Sequence, residues 1–210
     1  TVEYRVDSNA WLSMANVAGY YVATLDTTLL SDGTHTITFR AVDNASQSTE
    51  QSVTVTIDNN DPTVSIVAPG DNEYIAGQYT FTVFASDTVG IDTVTLYLGS
   101  DAYAMAYNSQ SGYYEVTVNT ALYGDGVYAV YALATDVSGN TSSTAVYTIY
   151  IDNNAPALTI NAPADGATIA GSYELNVSVS DAFLSTVEYR VDSNAWLSMA
   201  NVAGYYVATL

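Results

Sequence analysis

The sequence predicts an all-β fold of two-sheet sandwiches set end to end, with about seven strands in each. Three observations carry this: an internal repeat, period-two alternation of apolar residues, and turn residues between short runs. Residues 1–25, TVEYRVDSNAWLSMANVAGYYVATL, recur letter for letter at 186–210, so Thr1 returns as Thr186 after a period of 185 residues. A weaker echo lies inside that period, where IDNNDPTVSIVAP (Ile57 to Pro69) returns as IDNNAPALTINAP (Ile151 to Pro163). Each period therefore holds two related units.

Residues 63–156 read as one complete unit of ordinary sandwich size. Residues 1–62 read as the C-terminal part of the other unit type, without its first two strands, and residues 157–210 as the N-terminal part of that same type. Such pieces leave core faces and sheet edges open. The expectation is therefore a longer array, with the period recurring at least twice in one covalent chain. A chain of 22.3 kDa alone would instead need head-to-tail docking, with residues 157–185 of one copy completing residues 1–62 of the next.

Alternation places the strands. Tyr79, Phe81, Val83 and Ala85 form the inward side of the second strand, matched in the sister unit by Tyr173, Leu175, Val177 and Val179. Val94, Leu96 and Leu98 do so for the third strand, matched by Val187, Tyr189 and Val191. The turns that follow, Gly99-Ser100-Asp101 and Asp192-Ser193-Asn194, suit tight hairpins. Val116 and Val118, then Tyr128, Val130, Ala132 and Ala134, then Tyr147, Ile149 and Ile151 continue the pattern.

Composition excludes several functions. The chain has no Lys, three Arg and a formal charge of −19, so it repels nucleic acid and anionic membrane surfaces. Without cysteine there is no disulfide framework. No apolar run is long enough for direct membrane insertion. An enzyme is not expected. Ser and Asp are plentiful, yet nothing arranges them around a base, and the single histidine, His35, aligns with Tyr128 in a DG-x-H/Y pattern.

The run AP-x-DG-x-x-x-x-G, a strand ending in SD, then VEYRVDSNAW, LDTTLLSDGTHTITFRAVD and TIDNN resembles the bacterial immunoglobulin-like domains of large surface proteins. The resemblance spans essentially the whole chain. It implies tandem immunoglobulin-like sandwiches at the cell surface or outside the cell, working as stalks, spacers or ligand-binding modules. It also implies that His35 and Tyr128 hold the corner where such sandwiches place a tyrosine bonded to backbone. DVSGN (136–140) departs from its sister DNASQ (43–47), which lacks the glycine.

With that family's strand order, the loops after the second and sixth strands lie beside the linker that enters the unit. Asp58, Asn60 and Asp61 of the linker would then meet Asp87 and Asp136. At the second junction Asp152, Asn154 and Asp181 would meet, with Asp43 supplying the sixth-strand position in an intact repeat. Clustered carboxylate and amide oxygens suit a hard cation, and Ca2+ takes six to eight of them. The plainer reading is that Asp and Asn stand at strand ends because they form turns.

Tyrosine is abundant, at 19 residues, and Tyr97, Tyr131 and Tyr150 fall on outward positions. Strand preference alone accounts for such residues. A sharper reading has this face pack on a neighbouring repeat, associate laterally with another chain, or stack on glycan rings. Two functions follow: a structural repeat of a stalk, fibre or surface filament, or an adhesin module binding glycan or partner. Asn44, Asn140 and Asn176 begin Asn-x-Ser/Thr sequons.

Overall fold

The computed structural model describes residues 1–210. The chain divides into two compact units, one of residues 1–70, 80–116 and 129–147, the other of residues 71–79, 117–128 and 148–210. All extended structure is strand, and the helical content is two single 3-10 turns, Thr27–Leu29 and Thr120–Leu122. Each turn is capped by the side chain before it: Asp26 accepts from Thr28 N at 3.1 Å and Asn119 from Ala121 N at 3.2 Å. No helix is long and apolar enough to cross a membrane.

The N-terminal sheet has the order Leu12–Ser13, Val2–Val6, Gly33–Val42, Ser48–Ile57. Its backbone is a ten-residue hairpin in which Gly33 faces Ile57 and Val42 faces Ser48. Cross-strand neighbours share a face, so Val6, Ile37 and Val53 form one row and Tyr4 and Phe39 begin the next. On the other face Arg40 donates to Glu3 at 2.7 Å, and the guanidinium carbons of Arg5 and Arg40 lie 4.6 and 4.1 Å from the Trp11 ring centroid.

Residues 63–156 contain two sheets. One runs Asp101–Ala104, Ile91–Leu98, Gly126–Asp136, Tyr147–Ile151, Glu73–Ile75; the other runs Ala106–Asn108, Tyr113–Asn119, Gln78–Ser86, Thr63–Ala68. Phe81, Val83, Leu96, Leu98, Val130, Ala132, Ile149 and Ile151 are fully buried, so the alternation is in the register the sequence predicts. The strand count exceeds seven because three strands are each split, the last of them into Thr141–Ser143, which also pairs with Gly126–Asp136, and Tyr147–Ile151. Pro69 has no N–H to extend a ladder, and beyond it Glu73–Ile75 pairs in parallel with Tyr147–Ile151. A break at Met105 likewise divides Asp101–Asn108 between the sheets.

The C-terminal sheet runs Ala157–Ala162, Glu174–Ser180, Tyr205–Thr209, Ala200–Val202, and beside it stands a separate two-stranded hairpin, Glu188–Tyr189 with Leu197–Ser198. One inward assignment differs here. Val191 is 43% exposed, whereas Val6, its copy in the repeat, is 5% exposed. Val6 lies opposite Ile37 on a paired strand; the hairpin carrying Val191 has no such neighbour.

Candidate metal centre

Three strand ends converge where the linker leaves Ile57. Asp58 follows the last strand of the N-terminal sheet, Asp87 follows Gln78–Ser86, and Asp136 ends Gly126–Asp136. One carboxylate oxygen from each lies within 4.8 Å of the others. Asp136 is 2% exposed. Its Oδ1 accepts from Ser138 N at 2.8 Å and Asn140 N at 2.9 Å. Burial pushes its carboxyl up, but hydrogen bonds from Asn140, Ser138 and Gly139 outweigh this and hold it below the usual carboxylate range. Asp87 Oδ1 accepts from Val89 N at 2.7 Å. Asp136 Oδ2 and both carboxylate oxygens of Asp58 are shielded from solvent and accept no hydrogen bond.

The remaining residues expected at this junction are placed differently. Asp61 is exposed. Asn60 turns its amide nitrogen to Asp32 Oδ2, and its neighbour Asn59 donates backbone N–H to Asp32 Oδ1 at 2.8 Å. Asn59 also exchanges two bonds with Thr27: Nδ2 donates to the carbonyl at 2.9 Å and Oδ1 accepts from the hydroxyl at 3.1 Å. The second linker repeats this fastening. Asn154 Nδ2 donates to Asp125 Oδ2 at 2.8 Å, Asn153 N to Asp125 Oδ1 at 2.7 Å, and Asn153 Nδ2 to Thr120 O at 2.9 Å. Sequence reasoning missed Asp32, Asp125, Thr27 and Thr120. The signal was there, because LDTTLLSDG and VNTALYGDG keep Thr and the Asp-Gly pair at the same spacing.

At the second junction Asp152 is influenced by Asp181 and Asp125. Burial first, then the charges of Asp181 and Asp125, push the Asp152 carboxyl up, and its Oδ1 is shielded without a partner. Asp181 Oδ1 accepts from Phe183 N at 2.7 Å, as Asp87 does from Val89. Asp43 closes its own turn, accepting from Ala45 N and Gln47 N at 2.8 and 2.9 Å. Ser46 in that turn adopts φ 65°, the left-handed region that Gly139 occupies in its sister at φ 95°.

The outward tyrosines form two groups. Tyr97 and Tyr131 stack with centroids 4.7 Å apart and planes 5° from parallel. Tyr150 instead stacks on Tyr74 at 4.6 Å, and Phe183 meets both edge-on. The corner residues do what their alignment implies. Tyr128 OH donates to Gly124 O at 2.9 Å, and His35 Nε2 lies 2.8 Å from Ser31 O, the equivalent carbonyl four residues upstream. His35 Nδ1 lies 2.7 Å from Asp7 Oδ2.

The sequence profile of the bacterial Ig domain matches residues 62–149 and 156–210, well over half of the chain. The chain belongs to the bacterial Ig domain family. No curated protein matches it in sequence. Among solved structures, fibronectin(III)-like modules of Clostridium thermocellum CbhA are similar at 21% identity and TM-score 0.42, covering 71% of this chain and 75% of that one. A tetra-tandem repeat from the extending region of a large adhesion protein is similar at 21% identity and TM-score 0.42, covering 99% and 57%. A Ca2+-stabilized adhesin of an Antarctic bacterium, titled as helping it reach out and bind ice, is similar at 18% identity and TM-score 0.35, covering 100% and 56%. This chain thus spans little more than half the length of either adhesin structure. Matched over two successive segments, the bacterial Ig domain is present here as a tandem repeat.

Proposed function

We propose that this chain is a structural repeat segment of an extracellular stalk, fibre or surface filament, without catalytic activity, in which Ca2+ rigidifies the joint at residue 62. The supporting observation is the set of shielded oxygens on Asp58 and Asp136 that accept no hydrogen bond, within 4.8 Å of one another and of Asp87. Buried charge is costly unless it is paired or coordinates a metal. Hydrogen bonds hold the Asp136 carboxyl below the usual carboxylate range, so Asp136 brings a charge to this site. An all-oxygen donor set favours a hard cation, and three separate strand ends give the adaptable geometry Ca2+ accepts.

Asp58 belongs to the linker, while Asp87 and Asp136 belong to the repeat it enters, so one ion ties the linker to the following repeat. The boundaries at 62 and 156 are part of this proposal. Calorimetry on the whole chain should show Ca2+ binding at or below millimolar concentration, with a rise in melting temperature by mass action. Asp87→Asn and Asp136→Asn should each weaken binding about tenfold or more while leaving the strand spectrum intact, since charge count sets affinity at such sites. No heat of binding to the wild type at millimolar Ca2+ would leave these acids as turn formers.

The Tyr97–Tyr131 stack favours a second reading, an adhesin module that binds glycan or another partner on that face. Binding on a glycan array that is lost in Tyr97→Ala supports it. Silence across the array removes it.

A further inference from the structure

The three carboxylates of the first junction stand on separate chain segments, and bonds between those segments hold them together. Asp136 closes its own turn: its N–H donates to Asn140 O at 3.1 Å, and its Oδ1 accepts from the N–H groups of Ser138 and Asn140. That leaves Oδ2 as the free oxygen. The Oδ1 of Asp87 is occupied in the same way, accepting from Val89 N at 2.7 Å and Gly90 N at 3.3 Å. Two further bonds run between segments. Gly90 O accepts from Val137 N at 3.1 Å, which ties the loop after Asp87 to the turn after Asp136. Asn140 Nδ2 donates to Asp58 O at 3.5 Å, which ties that same turn to the linker. Gly90 stands at φ 133°, a conformation that residues with a Cβ rarely adopt. Room is not the obstacle there, since an added Cβ would lie 3.9 Å from Val137 Cγ1.

The sister unit closes the same turns without either residue. Asp43 accepts from Gln47 N, and Gln47 occupies the position of Asn140. Asp181 accepts from Phe183 N, and the run Ala182-Phe183-Leu184-Ser185 that follows it has no glycine. What Gly90 and Asn140 add is therefore the connection between segments. We propose that Gly90 and Asn140 are positioning residues for the cation of the joint: they tie three segments together so that Asp58, Asp87 and Asp136 already face one another before the ion binds. Neither gives the ion an oxygen. This rests on the reading of the joint as a Ca2+ site. Three like charges gathered without such ties move apart, and a site that must be drawn together at each binding event loses affinity to that ordering. Residues that hold metal-binding side chains in place therefore set affinity nearly as strongly as the side chains themselves.

Calorimetric titration of the whole chain with Ca2+, repeated across a series of salt concentrations, tests this. Asn140→Ala keeps all three carboxylates and the backbone bonds of the turn, and should bind Ca2+ about tenfold more weakly than the wild type. Its salt dependence should match the wild type, because the charge at the site is unchanged. Asp136→Asn should instead lose affinity with a shallower salt dependence. In chelating buffer Asn140→Ala should melt within about 3 °C of the wild type, the effect of losing one ordinary hydrogen bond. Gly90→Ala is the second variant; it moves the loop that carries Asp87 and should also weaken binding about tenfold. Wild-type affinity in either variant would overturn the positioning role and leave the Ca2+ joint standing. A salt dependence in Asn140→Ala as shallow as that of Asp136→Asn would overturn it too, since the residue would then act through charge. A wild type with no heat of binding at millimolar Ca2+ would overturn both this proposal and the reading it rests on.

Discussion

The two linkers begin alike and end differently. Asn59 and Asn153 are both fastened to a Thr and an Asp of the preceding strands, through Thr27 with Asp32 and Thr120 with Asp125. Beside that Asn, Asp58 of the first linker meets two more carboxylates, Asp87 and Asp136. The second has Asp152 with Asp181, and beside them the aromatic group Tyr74, Tyr150 and Phe183. At the positions of Tyr150 and Phe183 the first junction has Thr56 and Val89. The fastening backwards is therefore common to both repeats, and what engages the following repeat varies.

The largest effect should come from the shared half. Asn153 Oδ1 accepts from Gly77 N at 2.9 Å and Thr120 Oγ1 at 3.0 Å, and Nδ2 donates to Thr120 O. Thr120 itself is fully buried. Asn153→Ala leaves these groups short of partners and should cost about 2–3 kcal/mol in denaturant unfolding. Asn59→Ala, at an exposed position with two side-chain bonds to Thr27, should cost about 1 kcal/mol. Equal costs would show that burial does not distinguish the two latches.

Much of this was legible in the sequence, for reasons that particular residues make plain. Val83, Leu96, Val130 and Ile149 could be assigned inward because period-two alternation survives whatever partner strand is chosen. Asp58, Asp87 and Asp136 could be brought together because each ends a strand at the same end of the fold. The amides were harder. Asn60 and Asn154 have the same composition signal as a ligand, and only the backbone path decides that they face Asp32 and Asp125, 28 and 29 residues upstream. Glu73–Ile75 was not legible as a strand, because three residues carry no usable period and the pairing partner lies more than seventy positions away, as Ile149 lies from Glu73. The exposure of Val191 depends on a strand that the segment 186–210 pairs with only in its other copy.

A smaller effect should separate the joints by their second half. Tyr150→Thr installs the residue found at Thr56 and removes the stack on Tyr74 and the edge contact to Phe183. Aromatic pairs of this geometry contribute about 0.5–1.5 kcal/mol beyond their buried area. A double-mutant cycle of Tyr150→Thr with Phe183→Val should therefore give a coupling of about 1 kcal/mol. A coupling indistinguishable from zero would mean that the aromatic group is a surface cluster and that the two joints differ only in their carboxylates.

The smallest expected effect concerns the corner residues, where the repeats differ by one titratable pair. Ser31 O only accepts, and an ionised Asp7 only accepts, so both ring nitrogens of His35 must donate and the ring is an imidazolium. The hydrogen bond donated to Asp7, followed by that to Ser31, raises the His35 pKa above 6.5. Asp7 is lowered, first by the Thr36 N–H and then by His35. A raised histidine contributes stability that is fully present below its unfolded pKa and is lost as pH climbs through the folded value. A lowered aspartate contributes above its unfolded pKa, and that contribution is lost as pH falls through the folded one. The N-terminal sheet should thus be most stable between the Asp7 and His35 transitions and soften on the alkaline side. The sister corner should not share this response, since Tyr128 stands where His35 does and Gly99 where Asp7 does. Because His35 is the single histidine of the chain, its ring protons can be followed alone by NMR. A midpoint above 6.5 that returns towards 6.5 in Asp7→Gly is the expected result. A wild-type midpoint at or below 6.5 would mean the pair does not hold the corner in solution, and the two repeats would then differ there in shape and not in charge.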